Sequence, residues 1–338
     1  EPSSPEDSDN YFVQCLKIIN KGLDNGKNEF VDDKTVRNLT NLASVNFPDK
    51  FIFSEIASIL SNKDVKLNPD AIEDLKDLMK LSLSNKAQTV DELINEYVKN
   101  GFERSQAQAE LDFVCSVLFD LSPVDIMLEK NLPSNFEKEL SAIVGKRLDT
   151  LRPIQQIVGF GYFLNEKYIV DENVLSPRPE TELLVVKAKE IIEKNGFKTF
   201  LDIGTGTGCI AISLLKLCTE LKGESVDISE KALNIAQKNS DKLGVSGRLK
   251  LKKSDLFSQV SGKFDLIISN PPYIPRKDKP FLDKEVRDFE PEIALFTNDE
   301  EGIEVYREII SEADKYLNRD GYLMFEIGYN QGALLEKL

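Results

Sequence analysis

The pattern of apolar positions changes near residue 199 and divides the chain into a helical half and an α/β half. Before that point, apolar residues recur every three or four positions, as Val90, Leu93 and Tyr97 do, which is the spacing of one buried helix face. After it, short apolar runs alternate with helical patterns. The predicted strands lie near residues 199–203, 223–227, 249–253, 264–268 and 321–327. Strands that alternate with helices form a parallel sheet covered by helices, so we expect a doubly wound, mostly parallel α/β sheet.

Breaks in these patterns predict five segments along the chain. They are a polar, disordered tail at residues 1–10, a helical extension of unknown role and unknown partner at 11–85, a small helical domain at 86–152, a β-hairpin linker at 153–175 and the α/β domain at 176–338. In the linker, the alternating stretch Ile157–Val170 predicts a hairpin with its turn near Asn165 and Glu166. The chain ends in a helical pattern just after the fifth strand, so we expect the sheet to be truncated on its C-terminal side.

The composition argues against several classes of site and partner. Acidic residues outnumber basic ones by 58 to 43, giving a net charge of −15, which makes a nucleic-acid partner unfavourable. The chain has no histidine, which excludes Ser-His-Asp hydrolysis and zinc–histidine chemistry, and we expect no metal site. Its four cysteines lack C-x-x-C spacing, which indicates that they are reduced thiols. Without a long apolar run or a signal-peptide pattern, the sequence indicates a cytoplasmic protein with no membrane partner.

The most informative motif is Asn270-Pro271-Pro272-Tyr273, which follows the apolar run Phe264–Ile268 and is called the proline turn below. Two successive prolines cannot continue a strand ladder, so the strand must end there in a stiff turn. The turn offers a carboxamide, carbonyl oxygens and an aromatic ring, which together suit a planar NH2 group. We therefore predict that these four residues hold an amide or a base amine with its nitrogen aimed at an electrophile.

A second motif supplies a site for that electrophile. The predicted strand Thr199–Ile203 contains Asp202 and leads into a glycine-rich turn before the helical run Cys209–Leu217. The glycine turn consists of Gly204, Thr205, Gly206, Thr207 and Gly208. Its glycines allow close approach of a ligand to the backbone at a helix N-terminus. Asp227 ends the next predicted strand, where ribose hydroxyls would need an acceptor, and Asp255-Leu256 follows the third, where an adenine would be met.

A third segment, Ser176–Glu182, leads into a predicted helix that ends at Asn195-Gly196. Pro179, Glu180 and Thr181 fit two interpretations. They are ordinary residues of a helix start, or they form a lid beside the site that contacts the substrate. The sequence leaves both open.

These motifs, in this order, resemble the HemK/PrmC family, whose members methylate the glutamine of the GGQ loop in class 1 peptide chain release factors. The matching stretches are VLSPRPETELLV, LDIGTGTGCIAISLL, SVDISEKALNIAQKN, SDLF, FDLIISNPPYI, EVRDFEPEIAL and GYLMFEIGYNQG. The resemblance runs from about Lys86 to the end of the chain. It implies a Rossmann-like, class I S-adenosylmethionine-dependent methyltransferase domain, with residues 86–152 as a small substrate-recognition domain.

The resemblance also implies roles for individual residues. S-adenosylmethionine would be held by the glycine turn, with Asp202 at its base, Asp227 at the ribose and Asp255 and Leu256 at the adenine. The proline turn would clamp the substrate amide beside the cofactor, with the Asn270 side-chain oxygen and the Pro271 carbonyl accepting its two N–H groups. The sequence departs from the family pattern at four positions, where Gln156 replaces Tyr, Ser176 replaces an apolar residue, and Thr297-Asn298 replace a Gly-Gly pair.

Three other functions are compatible with the same motifs. The clamp also fits the N6 amine of adenine, which would make the protein a nucleic-acid methyltransferase. A glutamine of a ribosomal protein is a second possible substrate. A non-catalytic interaction module that senses the cofactor is the third, although such a module has no need of an amide clamp.

Overall fold

The computed structural model describes residues 29–30, 66–67, 85–127 and 132–338. The predictions for the tail at 1–10 and for the helical extension at 11–85 fall outside the described residues, except for one short antiparallel pair. In that pair, β1 (Glu29–Phe30) lies against β2 (Lys66–Leu67). The chain divides into two compact units, residues 1–148 and 149–338.

Apart from the β1–β2 pair, the described part of the first unit is helical, in agreement with the periodicity. Its helices are α1 (Asn85–Lys99), α2 (Arg104–Phe119), α3 (Pro123–Met127) and α4 (Phe136–Thr150), the last of which extends two residues past the unit boundary. A buried ion pair joins two of them, because the Arg147 guanidinium donates to both carboxylate oxygens of Glu110 at 2.8 Å. The Tyr97 hydroxyl donates to the same carboxylate at 3.0 Å. A charge network with satisfied partners therefore lies within the apolar core of this unit.

The second unit alternates strands and helices after an initial hairpin. Its helices are α5 (Ile154–Val158), α6 (Pro179–Asn195), α7 (Cys209–Leu217), α8 (Glu230–Lys242), α9 (Lys284–Phe289), α10 (Glu292–Leu295), α11 (Glu304–Tyr316) and α12 (Gly332–Leu335). Its strands are β3 (Phe160–Phe163), β4 (Glu166–Ile169), β5 (Thr199–Ile203), β6 (Lys222–Asp227), β7 (Leu249–Lys253), β8 (Phe264–Ser269), β9 (Ile274–Pro275), β10 (Phe296–Thr297) and β11 (Leu317–Phe325).

The expected hairpin is present, with two differences from the prediction. Strands β3 and β4 pair antiparallel around a two-residue turn at Leu164 and Asn165, one position earlier than expected. Both turn residues have positive φ, of 47° and 63°, as a tight hairpin turn requires. The first two residues of the predicted hairpin, Ile157 and Val158, instead end helix α5, which Gly159 caps in the left-handed conformation.

The central sheet has five parallel strands in the order β11-β8-β5-β6-β7. The predicted parallel sheet and all five of its strands are thus confirmed. The fifth strand begins earlier than expected, with a register shift between Leu317 and Tyr322. Strand order runs outward from β5 in one direction through β6 and β7, and in the other through β8 and β11. The order therefore reverses between β5 and β8, and this is where open α/β sheets form a ligand crevice at the strands' carboxyl ends.

Side chains alternate between two cores on opposite faces of the sheet. Phe200, Leu266 and Ile268 pack on one face with apolar residues of α6 and α7. Leu201 and Ile267 pack on the other with apolar residues of α11. Helices thus cover both faces, as in other parallel sheets. Among the described residues, no helix is both long and apolar enough to cross a membrane.

Candidate active site

The glycine turn follows β5 and the proline turn follows β8, so the two motifs lie on the adjacent strands where strand order reverses. Both turns border one cavity of about 240 Å³. Most of the predicted site residues line it: Thr181, Gly204, Thr205, Gly206, Thr207, Asp227, Asp255, Leu256, Asn270, Pro271 and Pro272. Residues up to 91 positions apart along the chain, Thr181 and Pro272, are thereby brought to one crevice.

The remaining predicted residues lie around the cavity and do not line it: Asp202, Gly208, Tyr273, Pro179 and Glu180. Gly208 is the N-cap of α7, at a φ of 80°, and a Cβ there would approach Ile212 and Ala236 at 2.9 and 3.2 Å. Its role is therefore close packing of α7 against α8. Pro179 opens α6, as the helix-start interpretation requires.

The backbone of the glycine turn is anchored to the neighbouring strand β6. The Gly204 and Thr205 amides donate to the Val226 carbonyl at 2.9 and 3.1 Å. Gly204 and Gly206 have φ values of 75° and 53°, and no described atom lies within 4 Å of where a Cβ would stand on either. Their bare backbone leaves space on the cavity side that a side chain would fill.

Asp227, at the end of β6, accepts two backbone hydrogen bonds. Its Oδ2 accepts from the Gly206 amide at 2.9 Å and its Oδ1 from the Ser229 amide at 2.8 Å. Burial raises the pKa of this carboxyl, and the backbone donors counteract the rise. Each oxygen retains a lone pair beyond its backbone bond, so the carboxylate can still accept from a ligand hydroxyl.

Asp202 supports the glycine turn from beneath. It is fully buried and accepts from the Thr205 hydroxyl at 2.6 Å through Oδ2, while its Oδ1 has no hydrogen-bond partner among the described residues. Burial, followed by a smaller contribution from the charge of Asp227, raises its pKa to about 7. The turn thus sits above an acid that loses its proton only near neutrality.

The third strand contributes a constrained corner to the cavity. Leu256 has a φ of 43°, which is uncommon for a residue with a side chain. The Ser254 hydroxyl donates to the Leu256 carbonyl at 2.8 Å, and the Ser254 amide donates to the Asp227 carbonyl at 3.0 Å. These contacts hold Leu256 and Asp255 at the cavity wall, on the same side as Asp227.

Asn270 is oriented by a residue of the PRPETE segment. Its Nδ2 donates to the Thr181 hydroxyl at 3.1 Å, so the carboxamide oxygen is the atom that remains for a ligand. Thr181 is buried and lines the cavity. The sequence fits either a helix start or a lid for this segment. The structure shows a helix start at Pro179 together with a direct contact from Thr181 to the proline turn.

The expected role of Tyr273, in which its ring packs over a substrate amide, stays a prediction. Tyr273 does not line the cavity. Its phenol is near the carboxyl groups of Glu326 and Glu180, which add to the effect of burial in raising its pKa. Its carbonyl accepts from the Gln331 carboxamide at 3.0 Å, which draws this end of the turn towards the loop after β11. The Tyr273 backbone therefore contributes to the support of the turn.

A part-buried ion pair lies at one edge of the cavity, which Arg178 lines. The Arg178 guanidinium donates to Glu290 at 3.2 Å, and the Glu290 side chain is fully buried. Burial raises the pKa of Glu290, and the nearby Arg178 counteracts the rise. Gln156 is one of the departures from the family pattern. It donates to the Phe289 carbonyl at 3.1 Å, so this side chain binds the segment that carries Glu290.

Two residues that support the site, Glu326 and Gln331, are not predicted by the sequence patterns above. Both follow β11, the strand next to β8, and both lie within the GYLMFEIGYNQG stretch. The signal that could have found them is the same one that identified the proline turn, a polar residue at the carboxyl end of a strand.

The chain is similar to several known methyltransferases. The family model described as "Methyltransferase small domain" matches residues 180–284. The release factor glutamine methyltransferase of Streptococcus pneumoniae is 37% identical over 73% of this chain and 88% of its own length. That of Lactococcus lactis is 37% identical over 68% of this chain and 84% of its own. Among solved structures, a ribosomal protein L11 methylase from Lactobacillus delbrueckii subsp. bulgaricus is 25% identical over 50% of this chain and 70% of its own, with a TM-score of 0.36.

Proposed function

The chain belongs to the release factor glutamine methyltransferase family, and on that premise we propose that it methylates the side-chain nitrogen of the GGQ glutamine in a class 1 peptide chain release factor, using S-adenosylmethionine. The observation that carries the proposal is the meeting of the glycine turn and the proline turn in one cavity. One turn is suited to a nucleotide-like cofactor, the other to a planar amide. Methyl transfer requires the two ligands side by side.

The residues around the glycine turn fit the cofactor. The open space at Gly204 and Gly206 admits a ligand against the backbone. Asp227 has acceptor capacity for ribose hydroxyls, and Asp255 and Leu256 would border the adenine. When bound, S-adenosylmethionine supplies an electrophilic methyl group.

The proline turn would prepare the nucleophile. An amide nitrogen is a poor nucleophile because its lone pair is conjugated with the carbonyl. Asn270 Oδ1 and the Pro271 carbonyl would each accept one N–H of the glutamine, which orients the nitrogen and stabilises the positive charge that develops on it. Positioning supplies most of the effect, so a chain without histidine is not at a disadvantage.

We further propose that residues 86–152 recognise the release factor. Helices α1, α2 and α4 give this segment a core of its own, held by Tyr97, Glu110 and Arg147. The match to the S. pneumoniae relative spans 252 residues, which is longer than the unit at 149–338, so the match extends into the helical segment.

The proposal is tested by offering the purified protein labelled methyl donor with four acceptors: a release factor, the same factor with its GGQ glutamine changed to alanine, a ribosomal protein and an adenine oligonucleotide. We expect label on the unchanged release factor alone. Label on the oligonucleotide or the ribosomal protein, with none on the release factor, would contradict the proposed substrate.

A further inference from the structure

The Asn270 carboxamide can serve as a clamp only in one of its two orientations. Its oxygen can accept from a substrate N–H, whereas its NH2 group, turned into the cavity, would repel it. The bond from Nδ2 to the Thr181 hydroxyl selects the productive orientation. However, a hydroxyl both donates and accepts, so Thr181 would accommodate the reversed carboxamide equally well.

A third group, Glu326, removes this ambiguity. Its amide donates to the Ser269 carbonyl at 3.1 Å, which places it beside Asn270, and its carbonyl accepts from the buried Tyr306 hydroxyl at 2.8 Å. Burial raises the pKa of the Glu326 carboxyl, and hydrogen-bonding interactions with Thr181 and Asn270 act in the opposite direction. The Oε2 atom of this carboxyl is buried and has no hydrogen-bond partner among the described residues.

An ionised carboxylate accepts hydrogen bonds and donates none. While Glu326 is ionised, its side-chain interaction with Thr181 requires the Thr181 hydroxyl to donate, and the Thr181 oxygen is then left to accept from Asn270 Nδ2. We propose that Glu326 is a positioning residue that acts through Thr181 to keep the oxygen of Asn270 directed at the cavity. This inference rests on the proposed function, because it concerns the clamp of the same reaction.

The test compares Glu326→Gln and Thr181→Val, their double variant, and Thr181→Ser, which retains the hydroxyl. Glutamine at position 326 can donate to Thr181 and so permits the reversed chain of hydrogen bonds. We expect each of the first two variants to lower kcat by ~10- to 100-fold with cofactor affinity within about twofold of the parent. The double variant should be no slower than the slower single one, because the three groups act as a unit. Thr181→Ser should restore most of the rate.

Glu224→Gln is the matched control. Glu224 is a part-buried glutamate on β6 whose Oε1 likewise has no partner among the described residues, and it does not line the cavity. We expect parental kcat from it. A normal kcat in Glu326→Gln, multiplicative losses in the double variant, or a parallel loss of cofactor affinity would overturn the positioning role.

Failure of the proposed function gives a different result. If the parent methylates a ribosomal protein or adenine, the same variants are compared on that acceptor, since its NH2 group needs the same oxygen. A measurement that requires no turnover tests the inference if none of these acceptors is methylated. Solvent exchange of the Asn270 side-chain NH2 protons, followed by NMR, should accelerate in Glu326→Gln and Thr181→Val and stay unchanged in Glu224→Gln. Unchanged exchange in all three variants would contradict the inference.

Discussion

The glycine turn and the proline turn end adjacent strands and border one cavity, but the contacts that hold them differ in range. The glycine turn is held by backbone bonds to the next strand, to the Val226 carbonyl and the Asp227 carboxylate, about twenty positions away. The proline turn lacks two amide donors and is held by side chains 89 and 58 positions away, Thr181 and Gln331. The first turn therefore follows from its local sequence, while the second depends on the completed fold.

Alanine substitutions in the glycine turn should separate the loss of ligand space, at Gly206, from the loss of close helix packing, at Gly208. Gly206→Ala places a methyl group in open space beside the cavity, so we expect cofactor affinity to fall by ~10- to 100-fold, with only ~1–2 kcal/mol lost from the positive φ. Gly208→Ala carries a similar φ cost and adds contact with Ile212 and Ala236, so it should destabilise the fold more. Calorimetric titration and denaturant unfolding measure the two quantities. Equal loss of affinity and of stability in both variants would remove the distinction.

Removal of the hydrogen bond from Gln331 to the proline turn should mainly lower turnover. The Gln331 carboxamide donates to the carbonyls of Tyr273, Glu301 and Gly302, all at 3.0 Å. Gln331→Ala should cost ~1–3 kcal/mol of unfolding free energy and lower kcat about tenfold by loosening the turn, with cofactor affinity nearly unchanged. Gln237→Ala, on the surface of α8, is the matched control. A fall in cofactor affinity equal to the fall in kcat would show that the two turns are not held independently.

The pH dependence of stability should report on the acid beneath the glycine turn. Asp202 has a pKa of about 7 in the fold, against an ordinary value of 3.8, so the folded state retains a proton that the unfolded state has lost. The unfolding free energy should therefore fall as pH rises from about 4 to 7, by up to ~1.4 kcal/mol per pH unit from this group. Asp202→Asn should flatten that slope. Identical slopes in urea unfolding of the two proteins would contradict the assignment, since other buried acids contribute equally to both.

The sequence predicts features whose cause is local and misses those that the fold assembles. The strands β5, β7 and β8 are found almost to the residue because their apolar runs and turn residues are contiguous. The bulged start of β11 is missed, because pairing with Phe264 extends the strand beyond its apolar run. The cavity-lining residues of both turns are predictable as polar, glycine or proline residues at strand ends. The support of the proline turn by Gln331 is not predictable, because it depends on loops that meet only in the folded chain.

The central claim, that Asn270 holds the substrate amide beside the glycine turn, is tested most directly by one rate measurement. Methylation of the GGQ glutamine is followed by peptide mass spectrometry for the parent, for Asn270→Ala and for Asn195→Ala, an exposed asparagine on α6. The account predicts a ~10²- to 10³-fold slower rate for Asn270→Ala at saturating cofactor, with cofactor affinity retained, and a parental rate for Asn195→Ala. A near-parental rate in Asn270→Ala would contradict it.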